Sequence, residues 1–438
     1  MPRRMIQWLA KLTSRFLRKG MIYMSVIRPF KAIRPTPALA AKVAALPYDV
    51  MNSSEAREMV KGNPHSFLYV DRPEIGLNRD IPLYDPRVYR QAADHLQKMI
   101  DTGTLIQDET PSLYIYRLTM DGRPQTGLVA CTSIDEYQRN LIKKHELTRE
   151  EKEQDRIRHI EACDANTGPI FLAHRAKESI DRLIDDFTAK NCPIYDFVAE
   201  DGIGHTVWII NDTSVMDTLI AEYKAVPSLY IADGHHRNAS AVKVGLKKRE
   251  QAPDCDESAE HNYYLSVIFS DNQLYIMDYN RVVKFPDGLT DKKFIGRVSE
   301  KFDVAPFDGG CYTPEKAHTF GMYWQNRWYK LTAKPEIVDD TDPVASLDVS
   351  ILQNHLLAPI LEIGDPRTDK NIDFVGGVRG LDELERRVDS GEMQVAFAMF
   401  PTSMDELMAI ADRGQCMPPK STWFEPKLRS GLFIHKLT

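Results

Sequence analysis

The stretch Tyr230-Ile-Ala-Asp-Gly-His-His-Arg237 constrains this chain more than any other. Residues 228–232 are a short apolar run and residues 238–249 carry a helical pattern, so the segment between them has to turn a buried strand into a helix. A helix start exposes unpaired N–H groups at the positive end of the helix dipole, and an anion binds there readily. Gly234 permits the tight turn and the close approach of a phosphate. Arg237 can chelate phosphate oxygens through two N–H groups, and His235 and His236 add donors that can also move protons. Asp233 faces the same point, where a carboxylate is suited to hold Mg²⁺ or to accept a proton from an attacking hydroxyl. Asp before Gly is also an ordinary capped turn. The two histidines and the arginine added to it predict a phosphate-binding turn at the functional centre of a soluble enzyme.

At 438 residues the chain exceeds one ordinary core, and 43% hydrophobic with 27% charged residues is a globular composition. Strand-like and helical runs are interspersed without a repeat, which predicts an α+β protein with a mixed sheet. The expected division is a basic N-terminal extension (1–24), a catalytic region (25–285) and a C-terminal α+β region (286–438). The net charge of −7 argues against nucleic acid as partner, and no apolar run of membrane-spanning length occurs. Six scattered cysteines without a CxxC pair fit reduced thiols in a cytoplasm. A homodimer is compatible with these numbers. The extension is a basic amphipathic pattern, readable as a membrane-surface helix or as an upstream extension ahead of Met24. Two hairpins are expected, residues 112–119 with 125–131 around Asp121-Gly122, and residues 263–269 with 274–279.

Lys143-Lys-His-Glu146 is the second cluster: Lys143 and Lys144 can screen a polyphosphate, and His145 or Glu146 can serve as base or metal ligand. The charged run 143–158 also reads as a solvated helix face; as a helix from Thr148, it would put Lys152 and Arg156 on one face as an extended anion cradle. Pro47-Tyr-Asp-Val50 offers Asp49, and Asn63-Pro-His-Ser-Phe67 offers His65 and Ser66 for an amino-acid substrate; both also read as turns. Asp373-Phe-Val-Gly-Gly-Val-Arg379 lacks the dinucleotide fingerprint and reads as a backbone turn with Arg379 as an anion contact. Pro419-Lys-Ser-Thr422 lacks the glycines of a phosphate loop, and no Cys/His quartet has zinc-ligand spacing.

Ile231-Ala-Asp-Gly-His-His-Arg-Asn-Ala-Ser-Ala241 resembles the phosphate-binding box of the ParB/sulfiredoxin superfamily. The span from Arg28 to the carboxyl end resembles the bacterial and archaeal "domain of unknown function ten-fifteen" family. The resemblance rests on Leu46-Pro-Tyr-Asp-Val50, Asn63-Pro-His-Ser-Phe67, Lys144-His-Glu-Leu-Thr148, Asp155-Arg156 and Ala232-Asp-Gly-His-His-Arg237. It implies a ParB/sulfiredoxin-like core with a large additional C-terminal region. The wider superfamily includes kinases that convert free L-serine to O-phosphoserine with a nucleotide or another phosphoanhydride donor. By that resemblance Asp233 matches the box Asp near the substrate hydroxyl, and Glu146 is a candidate for the assisting Glu. ATP, ADP or pyrophosphate and Mg²⁺ are then the expected donor and metal, with Asp233 and Glu146 as its ligands. Where sulfiredoxin has its catalytic Cys this chain has His235 or His236, so sulfinic-acid reduction is not implied. A ParB-like nucleotide switch and a phosphoester hydrolase are the alternatives at the same site.

Overall fold

The computed structural model describes residues 25–438; the basic extension lies outside the described residues. The chain builds two β-sheets and a surrounding layer of helices. The first sheet contains β1 (Ile27–Arg28), β2 (Leu113–Met120), β3 (Arg123–Ser133), β4 (Ile142–Lys143), β5 (Ile170–His174), β6 (Tyr195–Val198), β7 (Gly204–Ile210), β8 (Leu229–Asp233) and β9 (Tyr263–Ser270). Its order is β4-β8-β5-β9-β3-β2-β7-β6, with β1 also paired to β3. The β8–β4 and β9–β5 pairs are parallel and the other pairs antiparallel, so the sheet is mixed.

Strict alternation places this sheet between two layers. Leu229 and Ile231 of β8, like Ile170 and Leu172 of β5, point into a core shared with helices Glu178–Lys190 (α3), Thr213–Tyr223 (α4) and His235–Gln251 (α5). Tyr230, Ala232, Phe171 and Ala173 point the other way, into a core that continues to the second sheet. Two further helices flank the first sheet, Pro86–Asp101 (α1) and Glu150–Cys163 (α2). Pro86 opens α1, and Asp85 caps it by accepting from Arg87 N at 2.9 Å.

The second sheet is antiparallel: β10 (Tyr279–Val283), β11 (Phe302–Phe307), β12 (Thr319–Trp324), β13 (Arg327–Ala333), β14 (Ile372–Gly376) and β15 (Val395–Ala398), in the order β11-β13-β12-β15-β10-β14. The hairpin expected at 112–131 is β2–β3. The one expected at 263–279 does not form: after β9 the chain crosses over, Ile276–Met277 pairs with Trp423–Phe424, and β10 joins the second sheet. The turn residues there mark a change of direction and carry no information about which strand comes next. Residues 348–361 form one helical run, Asp348–Leu352, a wider turn Gln353–Leu357 and Ala358–Leu361, the widening lying ahead of Pro359, which has no N–H to continue the ladder.

Residues 417–438 leave the second sheet and return to the first. Ser430 bridges Ala45, Ile434 bridges Ile33, and His435–Lys436 pairs with Ala165–Asn166. Leu428, Leu432, Phe433, Ile434 and Leu437 are buried there. Among the described residues, no helix is long and apolar enough to cross a membrane.

Candidate active site

Strand β8 ends at Asp233 and α5 begins at His235, three residues earlier than the sequence pattern suggests, so both histidines and Arg237 lie in the first helical turn. The β8–β5 register shifts between Ile231 and Asp233, an irregularity that re-aims the strand end. Gly234 is the helix cap with φ +90°, and having no side chain it caps nothing. The first-turn amides are therefore left for another acceptor. A Cβ at Gly234 would stand 3.2 Å from Arg237 Nε and Nη2, so the glycine also seats the guanidinium. Arg237 Nη1 donates to Pro169 O at 2.7 Å, while its Nε has no partner among the described residues.

Parallel pairing brings in the second cluster. Leu229 and Tyr230 align with Ile142 and Lys143, so the chain running on from Lys143 passes beside the end of β8. His145 stacks edge-on to His235 with ring centroids 4.5 Å apart, and His235 Nδ1 lies 3.8 Å from Glu146 Oε2. Arg149 N donates to His236 Nε2 at 3.0 Å, so His236 acts as an acceptor that pins the 146–149 loop to the turn. Lys144 is exposed with its ammonium 5.6 Å from the centre of the Tyr137 ring, and its charge reaches His235.

Asp233 has a partner that sequence reasoning missed. Lys427 Nζ lies 3.3 Å from Asp233 Oδ2, while Asp233 Oδ1 accepts from Gly234 N at 2.8 Å. Lys427 sits over the Trp423 ring at 4.7 Å, and Trp423 in turn fills the space left open by Gly376. Nothing local announces this: a lysine among lysines becomes a site residue only because residues 417–438 fold back.

The electrostatics separate the groups. Burial opposes ionisation of Asp233, but Lys427, Arg237 and the Gly234 N–H outweigh it and hold the carboxyl well below the usual range. Burial likewise opposes the Lys427 ammonium, and Asp233, Glu425 and Asp49 outweigh it, so it stays charged. Burial pushes Glu146 up; Asp233 and Asp49 push the same way against Lys420 and Arg149. Burial lowers His145 to about 4 despite Asp233, and burial with help from His145 lowers His235 well below its usual range, so both imidazoles are neutral near pH 7. The turn thus holds one firmly ionised carboxylate and one carboxylate biased toward its proton.

Asp49 is exposed at this mouth, and its charge acts on Arg237, His236 and Lys427. His65 and Ser66 are not brought to the turn by any contact: Ser66 Oγ instead accepts from Leu68 N, at the start of the short helix Leu68–Asp71. Arg379 is exposed in the turn after β14, where its charge acts on Glu383. The cradle along α2 is also altered, because Arg156 is engaged by Asp155 at 2.7 and 2.9 Å.

Fold and site together define a mixed-sheet α/β protein with an uncapped helix start at the end of a strand. The chain belongs to the family described as "Protein of unknown function (DUF1015)", whose model matches residues 27–350. Lys427 lies beyond that match. No protein of curated function matches. Similar solved structures include a conserved hypothetical protein from Pyrococcus furiosus, at 16% identity and TM-score 0.35, covering 70% of this chain and 95% of that one. Another is free serine kinase in complex with AMP, at 15% identity and TM-score 0.34, covering 70% and 91%. A third is SbnI with C-terminal truncation from Staphylococcus aureus, at 12% identity and TM-score 0.37, covering 70% and 87%.

Proposed function

We propose that this protein transfers a phosphoryl group from a nucleotide or pyrophosphate to the hydroxyl of a small amino acid, with L-serine as acceptor and a ParB/sulfiredoxin-like core as its frame. The observation that carries the reading is the pairing at the turn. An ionised Asp233 and a proton-biased Glu146 face the uncapped start of α5, a geometry that separates charge holding from proton transfer. The choice of serine and of a phosphoanhydride donor comes from the resemblance of the Asp-Gly-His box to that of the superfamily's serine kinases.

In this scheme the amides of His235, His236 and Arg237, the Arg237 guanidinium and Lys144 hold the donor phosphates. Glu146 takes the proton from the acceptor hydroxyl as its oxygen bonds to phosphorus. The bond from phosphorus to the bridging oxygen breaks, and the departing phosphate keeps that electron pair. Neutral His145 and His235 fill the space behind Glu146 without adding positive charge. Mg²⁺ fits the hard oxygen donors here: Asp233 and Glu146 would hold it, and it would supply neutralisation of phosphate charge. Most of the rate gain comes from positioning and charge neutralisation.

The test is to incubate the full chain with L-serine, Mg²⁺ and, separately, ATP, ADP or pyrophosphate, and to look for O-phosphoserine by mass spectrometry. Product with at least one donor is expected, and Asp233→Asn should lower turnover by about a hundredfold or more while pyrophosphate still binds. Absence of product with every donor sinks the kinase reading. Donor-derived phosphate without phosphoserine would favour the hydrolase, and nucleotide binding without any turnover the switch.

A further inference from the structure

Behind Arg237 lies a narrow cleft, lined among others by Tyr48, Asp71, Arg156, His159, Thr167 and Gly168. A second cavity adjoins it, sharing Tyr48, Asp71, Arg156 and His159. Most charges on these walls cancel in pairs. Arg156 binds Asp155 through two N–H groups while its guanidinium lies 3.9 Å from the centre of the Tyr48 ring, and Tyr89 OH donates to the other Asp155 oxygen at 3.0 Å. Arg72 lies 3.0 Å from Glu74. Lys152, on the outer cavity, donates to Tyr84 OH at 3.5 Å.

Two groups of opposite sign remain at the inner end. Asp71 accepts from Thr167 Oγ1 at 2.8 Å and lies 3.8 Å from His159 Nε2; among the described residues it has no Arg or Lys partner. Arg237 has the Pro169 carbonyl and an unused Nε. Both flank Gly168: a Cβ there would stand 3.0 Å from Ser430 Oγ, 3.6 Å from Arg237 Nη1 and 3.9 Å from Asp71 Oδ2. The missing side chain leaves hydroxyl, guanidinium and carboxylate around one small gap.

His159 is 1% exposed, and its Nδ1 has no partner among the described residues. Thr167 Oγ1 gives its proton to Asp71 and lies 3.3 Å from His159 Nε2, so it accepts from that nitrogen, and the network assigns the His159 proton to Nε2. That leaves Nδ1 as a bare acceptor on a residue that lines the cleft. Burial, with Arg156 nearby, holds this imidazole neutral. A buried acceptor without a donor is costly unless a ligand supplies the donor.

We propose that this cleft binds the zwitterionic head of an α-amino acid, its ammonium donating to Asp71 and His159 Nδ1 and its carboxylate accepting from Arg237. The identification of this amino acid as the phosphoryl acceptor rests on the function proposed above; the binding itself does not. Arg237 belongs both to the cleft wall and to the turn, so a head group held here lies directly beside Asp233.

The test is calorimetric titration of the full chain, with and without ADP, using L-serine, L-alanine, L-lactate and ethanolamine. Serine and alanine should bind, and lactate (no ammonium) and ethanolamine (no carboxylate) should bind about tenfold or more weakly. Asp71→Asn should weaken serine by a similar factor while pyrophosphate binds as in wild type, which also reports that the variant is folded. Lactate or ethanolamine binding as tightly as serine, or no amino acid binding in either condition, overturns the proposal without reference to any variant. Serine binding unchanged in a folded Asp71→Asn overturns it too. Amino-acid binding without phosphoserine formation would sink the kinase reading alone, whereas phosphoserine formation with an unchanged serine KM in Asp71→Asn would sink the cleft alone.

Discussion

Asp233 and Lys427 illustrate how one partner sets the chemistry of a residue. With 11% and 30% of the lysine and aspartate side chains exposed, the pair is partly screened, so Lys427→Met should cost about 1–2 kcal/mol in urea denaturation, less than a fully buried pair. The pH dependence carries a sign. Asp233 is held below its unfolded value, so its contribution is present above the ordinary carboxylate range and is lost as pH falls through it. Lys427→Met should therefore flatten the acid limb of stability against pH; an unchanged limb would mean that the pair does not set the Asp233 charge. His145 and His235 act in the same direction, because both stay neutral where an unfolded histidine takes a proton. Stability should decline as pH drops below about 6.5, and His145→Asn should reduce that decline. At this scale the sequence exposed Asp233, Gly234 and Arg237 as a group because they are adjacent in the chain. It gave no sign of Lys427 or Asp71, whose roles depend on segments far apart in sequence.

The strand–turn–helix unit is the element that ties these residues together. The hydrophobic period changes from two to 3.6 across Asp233 and Gly234, a local signal that survives folding, and the observed start of α5 differs from the expected one by a single turn. Gly234 is required twice, for its positive φ and for the space it leaves Arg237. Gly234→Ala should lower stability by about 1–2 kcal/mol and weaken pyrophosphate binding as the guanidinium is displaced, read by urea denaturation and calorimetry. Unchanged affinity would argue that Arg237 does not meet the anion. The failed hairpin at 263–279 shows the converse: alternation identified the first strand, but the second splits into Ile276–Met277 and β10, because pairing is a tertiary choice, made when their apolar faces found Trp423–Phe424, β14 and β15.

Across the whole molecule, the return of residues 417–438 joins the two sheets and completes the site. Phe424, Leu428, Leu432, Phe433, Ile434 and Leu437 are buried, at roughly 1.5–3 kcal/mol each. Their sum is comparable to the whole stability of a typical domain, about 5–15 kcal/mol. A chain ending at residue 416 should thus lose its cooperative thermal transition and become protease-sensitive; a cooperative transition in that chain would show that the first sheet does not need the strap. The sequence by itself determined the strand-to-helix turn, the amphipathic helices and the mixture of element types, because each depends on residues within a few positions of one another. Only the tertiary structure decided that β4 runs parallel to β8 and carries Glu146 to Asp233, that the carboxyl-terminal segment supplies Lys427, and that Asp71, His159 and Arg237 share a cleft. Those juxtapositions follow from which apolar faces bury one another, a property of the whole chain that no single segment encodes.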